Sequence, residues 1–184
     1  MANSKRVTVF GGSAPKPGEP AYNDALHLGE LLGAAGYTVL NGGYIGTMEA
    51  VSRGASEVGG HVIGVTCDEI EAWRPVAPNA YLSEEMRYPT VRTRLFALIE
   101  NCDGAIALPG GAGTLAEIAM MWNQLQTAAI SLRPLVLVGA GWQRTFAEMF
   151  ATMPEYVPAQ HRTYLSFAPD VDAAFEQINK LLNN

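Results

Sequence analysis

Short apolar segments alternate along this chain with longer stretches in which apolar residues recur at helical spacing. The short segments predict five buried strands, at Arg6–Phe10, Tyr37–Leu40, His61–Val65, Gly104–Leu108 and Leu135–Val138. The longer stretches predict helices at Tyr22–Ala35, Met48–Val58, Thr90–Asn101, Ala116–Leu125, Trp142–Ala151 and Asp170–Leu182. Strands and helices that alternate in this way form βαβ units. The sequence therefore predicts an α/β fold with a mostly parallel sheet and helices on both of its faces.

The stretch Thr66–Glu85 is the least regular part of the chain, and we predict one short strand in it, near Tyr81. We expect Trp73 in this stretch to serve packing or an interface. We also expect a solvated face formed by the acidic residues Glu69, Glu71, Glu84 and Glu85. Because the chain contains no linker or low-complexity segment, we expect residues 1–184 to form a single domain.

Three of the predicted strands end in turns that are rich in glycine. The first strand is followed by Gly11-Gly12-Ser13, the second by the segment Gly42–Ala50 and the fourth by the segment Gly110–Ile118. The last two segments share a pattern in which Gly-Gly is followed by a short gap, by Gly-Thr and then by a helix. In parallel sheets the carboxyl ends of the strands meet at one edge, where ligands bind.

A glycine turn that leads into a helix suits a phosphate group. Glycine lets the backbone come close to the anion, and the unpaired N–H groups and the positive end of the helix dipole face it. Three such turns at one edge predict an anionic, nucleotide-like ligand. The alternative is that these glycines only permit tight turns between strands and helices.

Glu117 has two explanations from the sequence. It lies three residues after Thr114, and a Thr-x-x-Glu pattern at a helix start is typical of a capping box. It also lies one turn into the helix whose N-terminus would hold the phosphate, which suits an active-site carboxylate. The sequence leaves both explanations open.

Composition narrows the possible partners and cofactors. The formal net charge of −6 argues against nucleic-acid binding, and the charged fraction of 16% indicates a compact globular protein. Cys67 and Cys102 form no metal-ligand cluster, and the three histidines are scattered, so we expect no metal and no cofactor. No apolar run is long enough for a membrane span, and no apolar signal segment opens the chain. We therefore expect a cytoplasmic protein that binds no membrane.

Four sequence motifs together resemble the LOG family, the "Lonely Guy" cytokinin-activating proteins and their bacterial relatives. The motifs are FGGS at Phe10–Ser13, NGGYIGTM at Asn41–Met48, GGHVIGV at Gly59–Val65 and PGGxGTxxE at Pro109–Glu117. The last motif is the most specific signature of the family. The resemblance implies a Rossmann-like, three-layer fold, usually in a homodimer or a higher homo-oligomer, here through the helices Thr90–Asn101 and Ala116–Leu125.

The resemblance also implies an activity and a set of site residues. The family's characterised enzymes cleave the N-glycosidic bond of nucleoside 5′-monophosphates, which releases the base and ribose 5-phosphate. By similarity, Glu117 and Arg94 would serve the chemistry on an AMP-like ligand. The implied nucleotide- and phosphate-binding residues are Gly12, Ser13, Gly42, Gly43, Gly46, Met48, Gly110, Gly111, Gly113 and Thr114.

Three departures from the family pattern favour a second reading. The family's Arg-Lys pair is Arg94-Leu95 here, its third consecutive glycine is Tyr44, and its Glu-Glu pair is Ala116-Glu117. Leu95 lies on the apolar stripe of its helix, so we expect it to serve packing. The chain resembles a divergent bacterial subgroup near molybdenum-cofactor carriers. The alternative function is therefore a non-catalytic carrier or sensor that binds a nucleotide or a molybdenum cofactor.

Overall fold

Strands and helices alternate through the computed structural model, which describes residues 4–183. The strands are β1 (Arg6–Phe10), β2 (Thr38–Asn41), β3 (Val62–Cys67), β4 (Glu84–Tyr88), β5 (Gly104–Ala107), β6 (Leu135–Val138) and β7 (Ser166–Ala168). The helices are α1 (Pro20–Ala34), α2 (Thr47–Glu57), α3 (Asp68–Trp73), α4 (Val91–Glu100), α5 (Ala112–Gln126), α6 (Ala140–Thr152), α7 (Ala159–Arg162) and α8 (Val171–Asn183). Residues 1–3 and residue 184, which the single-domain prediction includes, lie outside the described residues.

The strands of the described residues pair in one parallel sheet, in the order β4-β3-β2-β1-β5-β6-β7. The chain builds one half of the sheet from β1 to β4 and then crosses to the other side of β1. As a result β1 and β5 are neighbours. Open α/β sheets bind ligands at such a reversal point, outside the carboxyl ends of the strands. The predicted Rossmann-like α/β fold is confirmed.

Two hydrophobic cores cover the two faces of the sheet, because successive strand residues point to opposite faces. In β5, Ile106 contributes to the core under α1, α2 and α8. Its neighbours Ala105 and Ala107 contribute to the core under α4, α5 and α6. The sheet is therefore the middle of three layers, as predicted, and only its edges remain for a ligand.

Most predicted helices begin and end within two residues of the observed ones, but the stretch before α4 differs from its prediction. The prediction of a strand near Tyr81 is wrong, since the strand there is β4. This strand lies at the edge of the sheet, and its sequence EEMRY is mostly exposed or half-buried. It therefore lacks the apolar run that marks the central strands. The short elements α3, α7 and β7 were not predicted.

Candidate functional site

The carboxyl edge of the sheet opens into a cavity of about 370 Å³ at the reversal point between β1 and β5. Its walls come from the turns after β1, β2 and β5 and from the helices α2, α3, α4 and α5. The lining residues are Gly11, Gly12, Ser13, Tyr44, Met48, Ile70, Trp73, Arg74, Arg94, Gly111, Ala112, Gly113, Thr114 and Glu117. The cavity is thus built on the edge of the sheet that the glycine turns predict.

The three glycine turns contact one another at Gly12. The N–H of Gly12 donates to the carbonyl of Pro109 at 3.3 Å. The carbonyl of Gly12 accepts hydrogen bonds from both the N–H and the hydroxyl of Thr47, each at 3.0 Å. Gly46 has a φ of +75°, a conformation that favours glycine, and an added Cβ would lie 2.6 Å from the Gly12 carbonyl oxygen. Close backbone packing therefore joins the three turns into one structure.

Most of the sequence-predicted site residues line the cavity, namely Gly12, Ser13, Met48, Arg94, Gly111, Gly113, Thr114 and Glu117. The structure does not place Gly42, Gly43, Gly46 and Gly110 on the cavity wall. Two of these glycines nevertheless shape the wall. An added Cβ at Gly42 would clash with the guanidinium of Arg94, and one at Gly110 would clash with the hydroxyl of Thr114.

The N-terminus of α5 faces the cavity with its backbone. The helix begins at Ala112, and its N-cap residue is Gly111, which has no side chain to occupy the first N–H groups. These N–H groups have no carbonyl partner within the helix, and the positive end of the helix dipole lies there. An added Cβ at Gly111 or Gly113 would meet open space. The turn can therefore donate backbone hydrogen bonds to an anion, and phosphate binding by it stays a prediction.

The structure rules out one of the two explanations of Glu117. Since α5 begins at Ala112, Glu117 lies in its second turn, and no side chain caps the helix. The capping-box explanation is therefore wrong. Glu117 lines the cavity, where burial raises the pKa of its carboxyl group to about 7, and the charge of Arg94 opposes this rise. The carboxyl group is surrounded by protein but open to the cavity.

Arg94 is buried beside this carboxylate, with only 8% of its surface exposed. Its Nε donates to the carbonyl of Val65 at 2.7 Å, and its Nη2 donates to the carbonyl of Gly42 at 3.1 Å. Burial lowers the pKa of Arg94, and the negative charge of Glu117 raises it. The ring centroid of Tyr44 lies 5.8 Å from Cζ. None of the ion pairs within residues 4–183 includes Arg94, so no carboxylate there is in direct contact with its charge.

Two positions that depart from the family pattern have different surroundings. Leu95 is half-buried and packs against the core under α4, α5 and α6, so the expectation that it serves packing is confirmed. It does not line the cavity. Tyr44 is buried and does line it, and its hydroxyl accepts a hydrogen bond from the N–H of Cys67 at 2.7 Å. The tyrosine therefore occupies space that a glycine would leave open.

The sequence analysis missed one wall of the cavity, which consists of Ile70, Trp73 and Arg74. Of the two roles expected for Trp73, packing is wrong, because 79% of its surface is exposed at the mouth of the cavity, and an interface stays a prediction. The guanidinium of Arg74 lies 5.7 Å from the Trp73 ring centroid. The available signal was an aromatic residue beside an arginine soon after the carboxyl end of a predicted strand.

The acidic residues near this wall are only partly a solvated face, so that expectation is corrected. Glu71 and Glu85 lie 2.7 Å and 3.4 Å from nitrogen atoms of the Arg87 guanidinium. Glu69 accepts a hydrogen bond from the first N–H of α4 at 2.8 Å. Glu84 is exposed. Glu69 therefore joins α3 to α4, and Glu71 joins α3 to β4.

A larger and more open depression of about 720 Å³ runs along α4 and does not include the glycine turns. It coincides with Thr90–Asn101, one of the two stretches through which the family resemblance implies dimerisation. Val91 at the start of α4 and Leu115 in α5 are exposed apolar residues. Dimerisation through these helices stays a prediction.

Residues 4–183 contain neither a metal-binding cluster nor a membrane-spanning helix. No group of three or more His, Cys, Asp and Glu side chains there is arranged to hold a metal ion. The helices of the same residues include none with both the length and the apolar character that crossing a membrane requires. Cys67 and Cys102 are buried, free thiols.

The chain is similar in sequence to nucleotide-cleaving proteins. It is 28% identical over 182 residues to a probable cytokinin riboside 5′-monophosphate phosphoribohydrolase of Oryza sativa subsp. japonica, covering 96% of this chain and 78% of that protein. It is 30% identical over 162 residues to the pyrimidine/purine nucleotide 5′-monophosphate nucleosidase of Escherichia coli (strain K12). That match covers 82% of this chain but only 34% of the nucleosidase.

The fold is similar to that of the molybdenum cofactor binding protein from Rippkaea orientalis. The TM-score is 0.77 at 21% sequence identity, and the match covers 99% of both chains. At this identity the likeness concerns the fold alone. The sequence model of the SLOG cluster4 family matches residues 4–150, which include every residue lining the cavity. The resemblance to LOG proteins is thereby confirmed, and the chain belongs to the SLOG cluster4 family.

Proposed function

We propose that the protein is a phosphoribohydrolase that cleaves the N-glycosidic bond of a nucleoside 5′-monophosphate. One observation carries this proposal: the Glu117 carboxyl group and the Arg94 guanidinium face one cavity with the N-terminus of α5. The reaction requires a group that binds the phosphate, a buried cation and a carboxylate. The relatives in rice and Escherichia coli, whose names describe reactions on nucleoside monophosphates, support the proposal.

The backbone would hold the phosphate end of the substrate. The N–H groups at Gly111, Ala112 and Gly113 belong to the first turn of α5 and its cap, where an anion is favoured by the helix dipole. The hydroxyl groups of Ser13 and Thr114 belong to residues of the same wall. In this pose the ribose lies over Glu117, which is farther along α5.

Glu117 would act on the ribose. Cleavage of an N-glycosidic bond passes through an oxocarbenium-like state, and an ionised carboxylate beside C1′ stabilises its positive charge. The carboxylate also accepts the proton of the water that adds to C1′, while the base leaves with the bonding electron pair and takes up a proton. The products are the free base and ribose 5-phosphate. A pKa of about 7 suits this exchange of protons at neutral pH.

Arg94 would supply the fixed positive charge. Its Nε and Nη2 atoms donate to backbone carbonyls, whereas its Nη1 atom makes no hydrogen bond within residues 4–183. Hydrogen bonds of a charged donor contribute about 1.5–3 kcal/mol each, so the side chain is held before a ligand binds. Such a guanidinium can bind a phosphate oxygen or orient the Glu117 carboxylate without moving.

The test is to incubate the protein with AMP, GMP, IMP, CMP and UMP and to measure free base and ribose 5-phosphate. We expect release from at least one nucleotide. Glu117→Gln should abolish this release, whereas Glu148→Gln, at an exposed position of α6, should not change it. Wild-type protein that releases no base from any of the five nucleotides would contradict the proposal.

The second candidate function is a non-catalytic protein that binds a nucleotide or a molybdenum cofactor. The observation that favours it is Leu95, which packs in the core where the family's enzymes carry a lysine. The Rippkaea orientalis protein, whose name describes cofactor binding, has a similar fold. A thermal-shift screen with the five nucleotides and molybdopterin separates the two, because a ligand of the folded state raises the melting temperature. A shift with molybdopterin and no base release from nucleotides would favour this candidate.

Oligomeric state and location are proposed on the family resemblance. We infer that α4 and α5 pair with their copies in a homodimer and that the protein works in the cytoplasm without nucleic acid or membrane. Light scattering during size-exclusion chromatography measures the mass directly. A mass of one chain would contradict the dimer, and the phosphoribohydrolase proposal would be unaffected.

A further inference from the structure

The helix α3 presents two different faces. Ile70 and Trp73 are three residues apart, which places them on one side of the helix. Arg74 follows the last residue of α3 directly, and all three residues line the cavity. Asp68 and Glu71 are three residues apart and lie on another side, toward β4. One face of the helix therefore serves attachment, and the other serves the cavity.

The attachment face fixes α3 to the sheet. Asp68 accepts from Nε of Arg87 at 2.7 Å, and Glu71 accepts from Nη2 of the same guanidinium at 2.7 Å. The other oxygen of Glu71 lies 3.2 Å from the hydroxyl of Tyr44, which lies at the base of the cavity. These contacts join residues 16 to 27 positions apart in sequence. The position of the cavity face is therefore set by the fold and does not require a ligand.

The wall on α3 lies at the end of the cavity that is remote from the phosphate. The helix follows β3 directly, whereas the phosphate turn follows β5. Between β3 and β5 lie β2 and β1, so the two strand ends are three spacings, or about 14 Å, apart along the sheet edge. Arg94 donates hydrogen bonds near the ends of β2 and β3, and its guanidinium lies between the wall on α3 and the phosphate turn. Along this edge a phosphate, a ribose and a base would follow one another.

The chemistry of the wall suits a flat ring with hydrogen-bond acceptors. Trp73 offers an exposed aromatic face at the cavity mouth, and bases stack on such faces. The Nε atom of Arg74 is buried and has no hydrogen-bond partner within residues 4–183. A buried donor without a partner is unfavourable. A ligand that supplies a hydrogen-bond acceptor to this guanidinium would therefore bind more tightly, because it pairs a donor that has no partner in the protein.

We propose that Ile70, Trp73 and Arg74 form a base-recognition wall that selects 6-oxopurines, guanine or hypoxanthine, over adenine. This inference rests on the proposed binding of nucleoside monophosphates to the cavity. An arginine only donates hydrogen bonds. Guanine and hypoxanthine present two acceptors on one edge, O6 and N7, whereas adenine presents the acceptor N7 beside the N6 amino donor. In this proposal the base stacks on the Trp73 ring, and Arg74 donates hydrogen bonds to the O6 and N7 edge.

The experiment measures the binding of GMP, AMP and ribose 5-phosphate by calorimetry to the full chain carrying Glu117→Gln, which prevents turnover. We expect GMP to bind about tenfold more tightly than AMP, the ratio that one discriminating base contact provides. Adding Arg74→Met should bring the two affinities together and leave ribose 5-phosphate binding unchanged. The matched control is Arg92→Met, which removes an exposed arginine of α4 that does not line this cavity.

A second readout uses the tryptophan fluorescence. Trp122 and Trp142 are buried, so the exposed Trp73 is the residue that a stacked base should quench. Trp73→Phe should keep nucleotide binding and lose the quenching. Trp73→Ala should weaken the binding of both GMP and AMP about tenfold and leave the binding of ribose 5-phosphate unchanged. Unchanged melting temperatures of the variants would show that the fold is intact.

Three outcomes would overturn the proposed wall, and they differ from failure of the proposed function. The first is an AMP affinity equal to or above that of GMP. The second is a nucleotide preference that survives Arg74→Met. The third is a parallel loss of ribose 5-phosphate binding in Arg74→Met, which would assign this arginine to the phosphate. If neither the nucleotides nor ribose 5-phosphate bind, both proposals fail. If GMP binds with the expected preference but wild-type protein releases no base, only the enzymatic proposal fails.

Discussion

Replacing Glu117 by glutamine should stabilise the folded protein at alkaline pH and leave its stability unchanged in acid. The folded state raises the pKa of this carboxyl group from its ordinary value of 4.5 to about 7. The ionised carboxylate therefore reduces the free energy of unfolding progressively as the pH rises from about 4.5 to about 7, and by a constant amount above that. The interval of about 2.5 pH units, at about 1.4 kcal/mol per unit, corresponds to about 3 kcal/mol. Glutamine keeps the shape of the side chain and carries no charge.

The measurement is urea unfolding of both proteins at about pH 4 and about pH 8.5, with free energies from linear extrapolation. The free energy of unfolding of Glu117→Gln should exceed that of wild type by up to about 3 kcal/mol at the higher pH and equal it at the lower pH. Glu148→Gln removes a charge from an exposed site of α6 and should show no such dependence. A glutamine variant no more stable than wild type at about pH 8.5 would refute the reasoning that burial perturbs this carboxyl group.

Three further outcomes are expected. If ionised Glu117 is the catalytic form, log kcat/KM should rise with pH and level off above about 7. A log kcat/KM that does not rise over this pH range would show that the carboxylate has no catalytic role. Gly42→Ala should weaken ribose 5-phosphate binding in calorimetry, because the added Cβ would meet both the Arg94 guanidinium and the Met48 sulfur. Unaltered binding would show that Arg94 can shift freely. Leu98→Ala, at a fully buried site of α4, should lower the free energy of unfolding by about 2–5 kcal/mol in urea, and a loss below about 1 kcal/mol would contradict its core position.

The central part of the fold could be predicted from the sequence because each signal is local. β1, β5 and β6 are short apolar runs, and each of the glycine turns follows its strand directly. Even Arg94 could be identified, since its distance in sequence from the PGG turn is part of a family pattern. The position of the three turns at one edge followed from the parallel sheet alone, whereas their contacts at Gly12 appear only in the folded structure.

The wall on α3 could not be predicted, because what positions it lies far away in sequence. The segment DEIEAW is short and acidic, and taken alone it has no reason to form a cavity wall. Its place depends on the contacts of Glu71 with Tyr44 and Arg87, which only the folded chain brings together. The edge strand β4 was misplaced for a related reason, because a strand with one unpaired side needs no apolar run.

The Thr-x-x-Glu pattern of α5 shows how a correct motif can suggest a wrong local structure. The pattern fits a capping box only if Thr114 is the N-cap, and the helix begins two residues earlier, at Ala112. The glycine turn sets that earlier start. Glu117 is thereby the sixth residue of the helix, three positions beyond the place that a capping box requires, and its carboxyl group meets the cavity.

The joined glycine turns divide the site into a part that tolerates little change and a part that can vary. The turns are held by backbone atoms of Gly12, Pro109 and Thr47, so few side chains on that side can be exchanged without disturbing the main chain. The opposite wall consists of one helix of six residues, none of which is buried, and of Arg74 directly after it. A lineage could therefore change its ligand by altering Ile70, Trp73 and Arg74 while every strand stayed in place. For protein engineering, residues 70, 73 and 74 are accordingly the positions at which a library would change ligand choice at the smallest risk to folding.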